Sequence, residues 1–137
     1  MKAICVLLVA FFCAANAMHA YEPQWATCFD GSFQFKTVTI DEAPVAGKKS
    51  TFHFCGVETK GTELDWDFAI VNSKDFILDK FIYNEQTSQY AVPFCYDVSL
   101  KIPEGVPKTL TLNFDIRGGG SKRSPDRVAC LNVVLNF

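Results

Sequence analysis

Apolar and polar side chains alternate along most of this chain, and the alternation restarts after each cluster of turn residues. "SFQFKTVTI" alternates and breaks at "DEAPVAG"; "KKSTFHFCG" alternates and breaks at "VETKGT". The pattern continues through "ELDWDFAIVN", "DFILDKFIY", "VPFCYDVSLKI", "PKTLTLNFDIR" and "RVACLNVVLNF". Period-two alternation over short runs is the mark of half-buried strands, and no helical period persists anywhere. Pro44 with Gly47, Pro103 with Gly105 and the long "GGGSKRSPD" segment supply the turn signals. Seven short strands with regular breaks predict an all-β, immunoglobulin-like antiparallel sandwich of two sheets. The last run differs from the others, because apolar residues fall on both of its parities; such a strand is covered on most of both sides.

The faces can be assigned from parity. Leu64, Trp66, Phe68 and Ile70 share one face of the third run, with Asp65 and Asp67 on the other. In the fifth run Val92, Phe94, Tyr96, Val98, Leu100 and Ile102 face one way, and Cys95 lies with Asp97, Ser99 and Lys101. Cys55 likewise opposes Phe52 and Phe54, and His53 shares its side. A true immunoglobulin domain turns its cysteine pair inward beside a buried Trp. Here Cys55 and Cys95 point outward, and the four cysteines read as staples at the edge or outer surface.

Composition adds a compartment. "MKAICVLLVAFFCAANA" has an early lysine, a short apolar run and small residues at Ala15 and Ala17, the pattern of a secretory leader spanning residues 1–17, with cleavage as late as residue 20. The run is shorter than the roughly 20 residues a membrane-spanning helix needs. One domain, residues 21–137, remains. Loss of the leader removes Cys5 and Cys13 and leaves Cys28, Cys55, Cys95 and Cys130, an even count that predicts two disulfides with three pairings open. The whole chain carries 13 Lys and Arg against 15 Asp and Glu, so losing Lys2 takes the net charge from −2 to −3. A mildly acidic domain with no basic stripe argues against a nucleic-acid partner.

The chemistry of catalysis is sparse. His19 and His53 are the only histidines, too few for a metal cluster or a Ser-His-Asp triad to be assembled with any redundancy. Asp65 and Asp67 flank Trp66 as solvated charges, and "GGGSK" lacks the spacing of a phosphate loop and precedes a strand. No enzyme, metal or cofactor is predicted. Lys122, Arg123 and Arg127 gather three positive charges at one turn, a candidate contact for lipid head groups or an anionic bilayer. The aromatic load is high: 13 Phe, of which only Phe11 and Phe12 belong to the leader, with two Trp and four Tyr. Such a core is either packed with rings or built round a space that rings line.

From "WATC" through "VTIDEAPVAGKKSTF" to "RVACLNVVLNF" the chain resembles the ML family of secreted lipid-recognition domains, which includes phosphatidylglycerol/phosphatidylinositol transfer proteins and the Niemann-Pick type C cholesterol-transfer protein. The resemblance implies splayed sheets with an apolar cavity between them. It makes Phe35, Phe52, Phe54, Trp66, Phe68, Ile70, Phe94, Tyr96, Leu110, Leu112, Phe114 and Leu131 the expected cavity wall. It implies a bridge from Cys28 to Cys130 and leaves Cys55 for Cys95. The chain departs from most members in lacking further short-loop cysteine pairs. The resemblance also implies a monomeric carrier of a sterol, phospholipid or glycolipid, in the extracellular fluid or a lysosome-like lumen, with transient membrane contact. The competing expectation is an immunoglobulin-like protein-interaction domain with a filled core.

Overall fold

A computed structural model describes residues 20–60, 63–121 and 124–137. The leader and its cleavage region up to residue 19 lie outside the described residues, as do Lys122 and Arg123. Eight strands form in chain order: β1 (Gln24–Thr27), β2 (Phe33–Ile40), β3 (Lys49–Glu58), β4 (Leu64–Ser73), β5 (Asp79–Ser88), β6 (Pro93–Lys101), β7 (Thr109–Ser121) and β8 (Ser124–Asn136). The one strand beyond the expected seven is β1, a four-residue edge strand formed by "QWAT". The segment "GGGSKRSPD" is strand rather than long loop for most of its length, since Ser121 pairs with Ser124 at the hairpin tip. Gly118 is buried there, and a Cβ would overlap the Asp65 carbonyl oxygen. Its glycine serves close backbone approach, not flexibility.

The five-stranded sheet runs β1-β8-β7-β4-β5 and faces the three-stranded sheet β2-β3-β6, with every neighbour antiparallel. The fold is the predicted sandwich. Between the sheets lie Val38, Ile40, Phe52, Phe54, Trp66, Tyr96, Val98, Leu110, Leu112, Phe114, Ile116, Leu131, Val133 and Leu135, all with at most 2% of their surface exposed. Both predicted disulfides are present. Cys28–Cys130 ties the residue after β1 to β8, with Cα atoms 5.1 Å apart, and Cys55–Cys95 joins directly opposed residues of β3 and β6, Cα atoms 4.1 Å apart.

The cover on the terminal strand is thereby explained. Ala129, Leu131, Val133 and Leu135 face the core, and Cys130, on the outer face, is covered by its partner Cys28. Arg117 lies opposite Arg127 while Ile116 lies opposite Ala129, so β8 carries Val128 as an extra residue, and it too is buried.

Candidate functional site

The interior is organised round Trp66. Phe33 of β2 meets it edge-on with ring centroids 4.8 Å apart, and Tyr96 and Phe94 of β6 lie 5.2 and 5.4 Å away. Phe35 completes the box at 6.3 Å. The Trp66 indole donates to Ser88 Oγ (2.9 Å), so the ring is fixed at both its apolar face and its polar edge. Gly56 faces inward opposite Phe35, and a Cβ there would overlap the Gln34 carbonyl and the Phe33 ring; the box closes because this position has no side chain. A second knot, Phe52, Phe54 and Phe114, has both β3 rings 4.9 Å from Phe114. Phe35 links the two groups through Phe54 at 6.5 Å.

Eight of the twelve expected wall residues are buried between the sheets: Phe52, Phe54, Trp66, Tyr96, Leu110, Leu112, Phe114 and Leu131. Phe35 and Phe94 are half-buried at its margin. Phe68 and Ile70 are not part of it. The β4–β5 ladder slips between Trp66, opposite Gln86, and Phe68, opposite Tyr83, so β5 has one more residue than β4 over that stretch. After the slip the inward residues are Ala69 and Val71, and Phe68 turns to the outer face, where it stacks on Phe81 at 4.5 Å. A register slip of one residue exchanges the two faces of a strand.

A similar irregularity in β2, where Lys36 is unpaired between Phe35 and Thr37, moves the inward parity from Phe33 and Phe35 to Val38 and Ile40. Phe33 and Trp25 belong to the aromatic interior and its margin although neither is in the expected wall. Phe33 shares the parity of Phe35 two residues on, which is the available signal; Trp25 lies on a strand too short to show any alternation.

The sandwich has two long seams where edge strands of opposite sheets meet. At the β5/β6 seam the Asn84 side-chain amide donates to the Asp97 carbonyl. At the β1/β2 seam the contact is Trp25 against Phe35, centroids 6.4 Å apart, and Tyr21 and Ile40 exchange backbone hydrogen bonds at its start. A cleft of about 290 Å³ opens where the loop joins these strands, lined by Thr27, Phe29, Asp30, Gly31, Phe33, Gln34, Phe35 and Lys36. Phe33 and Phe35 thus belong both to the cleft and to the box round Trp66. The described clefts open on outer surfaces, and none is lined by Phe52, Phe54, Trp66, Tyr96 or Phe114. The expected space between the sheets is filled by rings in mutual contact in this state.

Two clusters of charged side chains outside the core are paired. His53 Nδ1 lies 2.7 Å from Asp97 Oδ1 and Nε2 2.6 Å from Asp41 Oδ1. Partial burial alone would lower its pKa, but the bonds to Asp97 and Asp41 outweigh that and raise it. Both nitrogens of the His53 ring are thus taken up by carboxylates, Asp97 on β6 and Asp41 just after β2. Arg127 donates to Asp115 Oδ1 (2.8 Å) and Arg117 to Oδ2 (2.8 Å). Burial of Asp115 works against ionisation, and the two guanidiniums outweigh it and hold the carboxyl below its ordinary value. Arg127 is therefore engaged with the sheet, which leaves Lys122 and Arg123 as the remaining charges of the predicted basic turn. Among the described residues no group of three or more His, Cys, Asp or Glu is arranged to hold a metal.

Five strands packed on three in this order define an immunoglobulin-like sandwich. Among solved structures the chain is similar to a Niemann-Pick type C2 protein from the Japanese carpenter ant, with a TM-score of 0.55 over 82% of this chain and 98% of that one. Identity is 10%, so the likeness is one of fold, and the fold is ML-like. No family model matches the chain, and no curated protein matches it.

Proposed function

We propose that the chain is a secreted lipid-binding protein which takes an apolar chain or sterol between its sheets through the β1/β2 seam. The observation that carries this reading is the continuity of rings from the surface inward: the cleft residues Phe33 and Phe35 touch Trp66 and Phe54, which continue to Tyr96 and Phe114. Rings in edge-to-face contact can part and close on an apolar guest without leaving a polar group unpaired. Each buried methylene of the guest contributes about 0.8 kcal/mol before the cost of separating the rings. The chemistry on offer is binding and release, with no covalent step.

The ML-like fold and the two disulfides support an oxidising compartment, extracellular or a lysosome-like lumen. The sequence of the hairpin tip, with Lys122 and Arg123, supports transient contact with an anionic bilayer during delivery. A monomer suffices for this task. Native mass spectrometry of the secreted protein tests the proposal: a mass excess should vanish on organic extraction and return on adding cholesterol or phosphatidylcholine. A protein found at its bare mass that takes up neither would sink it.

The filled interior favours one other reading, an interaction domain that presents its outer faces. On that reading the protein binds no lipid in the same experiment, and lipid addition leaves its melting temperature unchanged.

A further inference from the structure

Two buried side-chain oxygens lack a hydrogen-bond partner among the described residues, Tyr96 Oη and Glu58 Oε2. Glu58 sits at the end of β3 beside residues 61 and 62, which are not described, and its Oε1 accepts from the Thr59 and Lys60 amides (both 3.0 Å). Tyr96 is different. It lies mid-strand on β6, fully buried, opposite Phe54 and against Trp66, among described residues on every strand that faces it. A buried hydroxyl left unpaired is a cost that native interiors avoid, so Tyr96 Oη has a donor's capacity that no described residue takes up. Trp66 cannot serve, because its indole N–H is already given to Ser88.

We infer that Tyr96 Oη is the donor that receives an uncharged oxygen of the bound lipid, an alcohol or a carbonyl, drawn between the sheets beside Trp66. The inference rests on the lipid-binding reading and narrows it to neutral, oxygen-bearing lipids. Two features set the class. Burial, and then the negative charge of nearby Asp67, push the phenol of Tyr96 well above its ordinary value, so it stays a neutral donor at any physiological pH. The hydroxyl is wholly buried beside the rings of Trp66 and Phe54, where an ionised fatty-acid carboxylate would give up its hydration.

Three probes of one chain length test this: 1-hexadecanol, hexadecane and hexadecanoate, each measured for affinity to the secreted, delipidated protein at pH 7. Wild type should bind the alcohol roughly tenfold more tightly than the alkane, the size of one well-made buried hydrogen bond. Tyr96→Phe should bring that ratio to one or below, because the alcohol's hydroxyl then lies buried without a partner, with alkane affinity unchanged, and the ligand-free variant should melt no lower than wild type, because it loses only an unpaired oxygen. Hexadecanoate should bind more weakly than the alcohol. In wild-type protein, with no variant needed, the Tyr96 ¹³Cζ resonance should move on adding the alcohol and stay put with the alkane. An unchanged alcohol-to-alkane ratio in Tyr96→Phe, a still Cζ resonance, or a preference for hexadecanoate would overturn the assignment while leaving lipid binding intact. Failure of all three probes to bind would remove the lipid reading and this inference together.

Discussion

The two seams of the sandwich are built from different materials. At β5/β6 the edge strands pack together and an amide-to-carbonyl bond joins Asn84 to Asp97; behind Asp97 stands His53, itself held by Asp41. At β1/β2 a short edge strand, anchored to β8 by Cys28–Cys130, is joined to its neighbour by the Tyr21–Ile40 backbone pair at the start of the seam and beyond it by aromatic side chains beside a cleft. Directional polar bonds resist separation and are lost all at once, whereas apolar ring contacts are non-directional and can be exchanged for contacts with a guest. Under the proposed function, the difference assigns ligand entry to the ring-lined part of β1/β2 and leaves β5/β6 as the side that holds.

The strongest test of that contrast removes the anchor of β1. Cys28→Ser with Cys130→Ser opens a loop of sequence separation 102, for which the chain-entropy model gives a loss of about 4 to 5 kcal/mol. Denaturant unfolding should show the loss, with protection of β1 amides from hydrogen exchange falling first. If β1 and β6 lose protection together, the seams are equivalent.

Next in size is the gradient from interior to mouth. Phe114→Ala, in the buried knot with Phe52 and Phe54, should cost about 3 to 5 kcal/mol. Phe35→Ala, half-buried at the β1/β2 cleft, should cost less than half of that and speed lipid exchange. Equal costs at the two positions would make Phe35 ordinary core.

At the closed seam Asn84→Ala should cost about 1 kcal/mol, the net value of one side-chain hydrogen bond, and should make β5/β6 exchange amides more like β1/β2. No change in exchange at β6 would show that ring packing alone closes that side.

The His53 pair gives a pH dependence of known sign. Because its folded pKa is raised above the ordinary 6.5, its contribution is fully present below that value and is lost as pH rises through the higher folded one. With these side chains a third to a half exposed, the effect should stay under about 1 kcal/mol. His53→Gln should abolish the slope of stability just above pH 6.5. A slope of opposite sign in wild type would contradict the geometry.

The smallest effect is the sharpest test of register. Phe68→Asp should change stability by no more than about 0.5 to 1 kcal/mol, because Phe68 lies on the outer face, and it should leave lipid uptake unaltered. Unfolding by this substitution would return Phe68 to the core.

Strands, their number to within one and the sandwich itself were legible because alternation is a local property: each residue's polarity reports which side its own strand buries. The outward placement of Cys55 and Cys95 could be read the same way; the Cys28–Cys130 bridge matches the one carried over from the ML resemblance, and Cys55–Cys95 the one left by elimination. Most of the interior followed, from Phe52 and Phe54 to Tyr96 and Leu112.

The sequence by itself determined which segments are strands and which residues prefer the inside. Tertiary structure alone decided where alternation breaks. The slip that turns Phe68 and Ile70 outward depends on β4 and β5 having unequal lengths between their paired residues, a relation between two strands that neither encodes alone. Tertiary structure also decided that Arg127 meets Asp115, that His53 stands between two carboxylates, and that Tyr96 Oη faces rings rather than a partner. Polarity is carried by each residue singly, whereas hydrogen bonds, ring contacts and register belong to pairs that the chain brings together only when it folds.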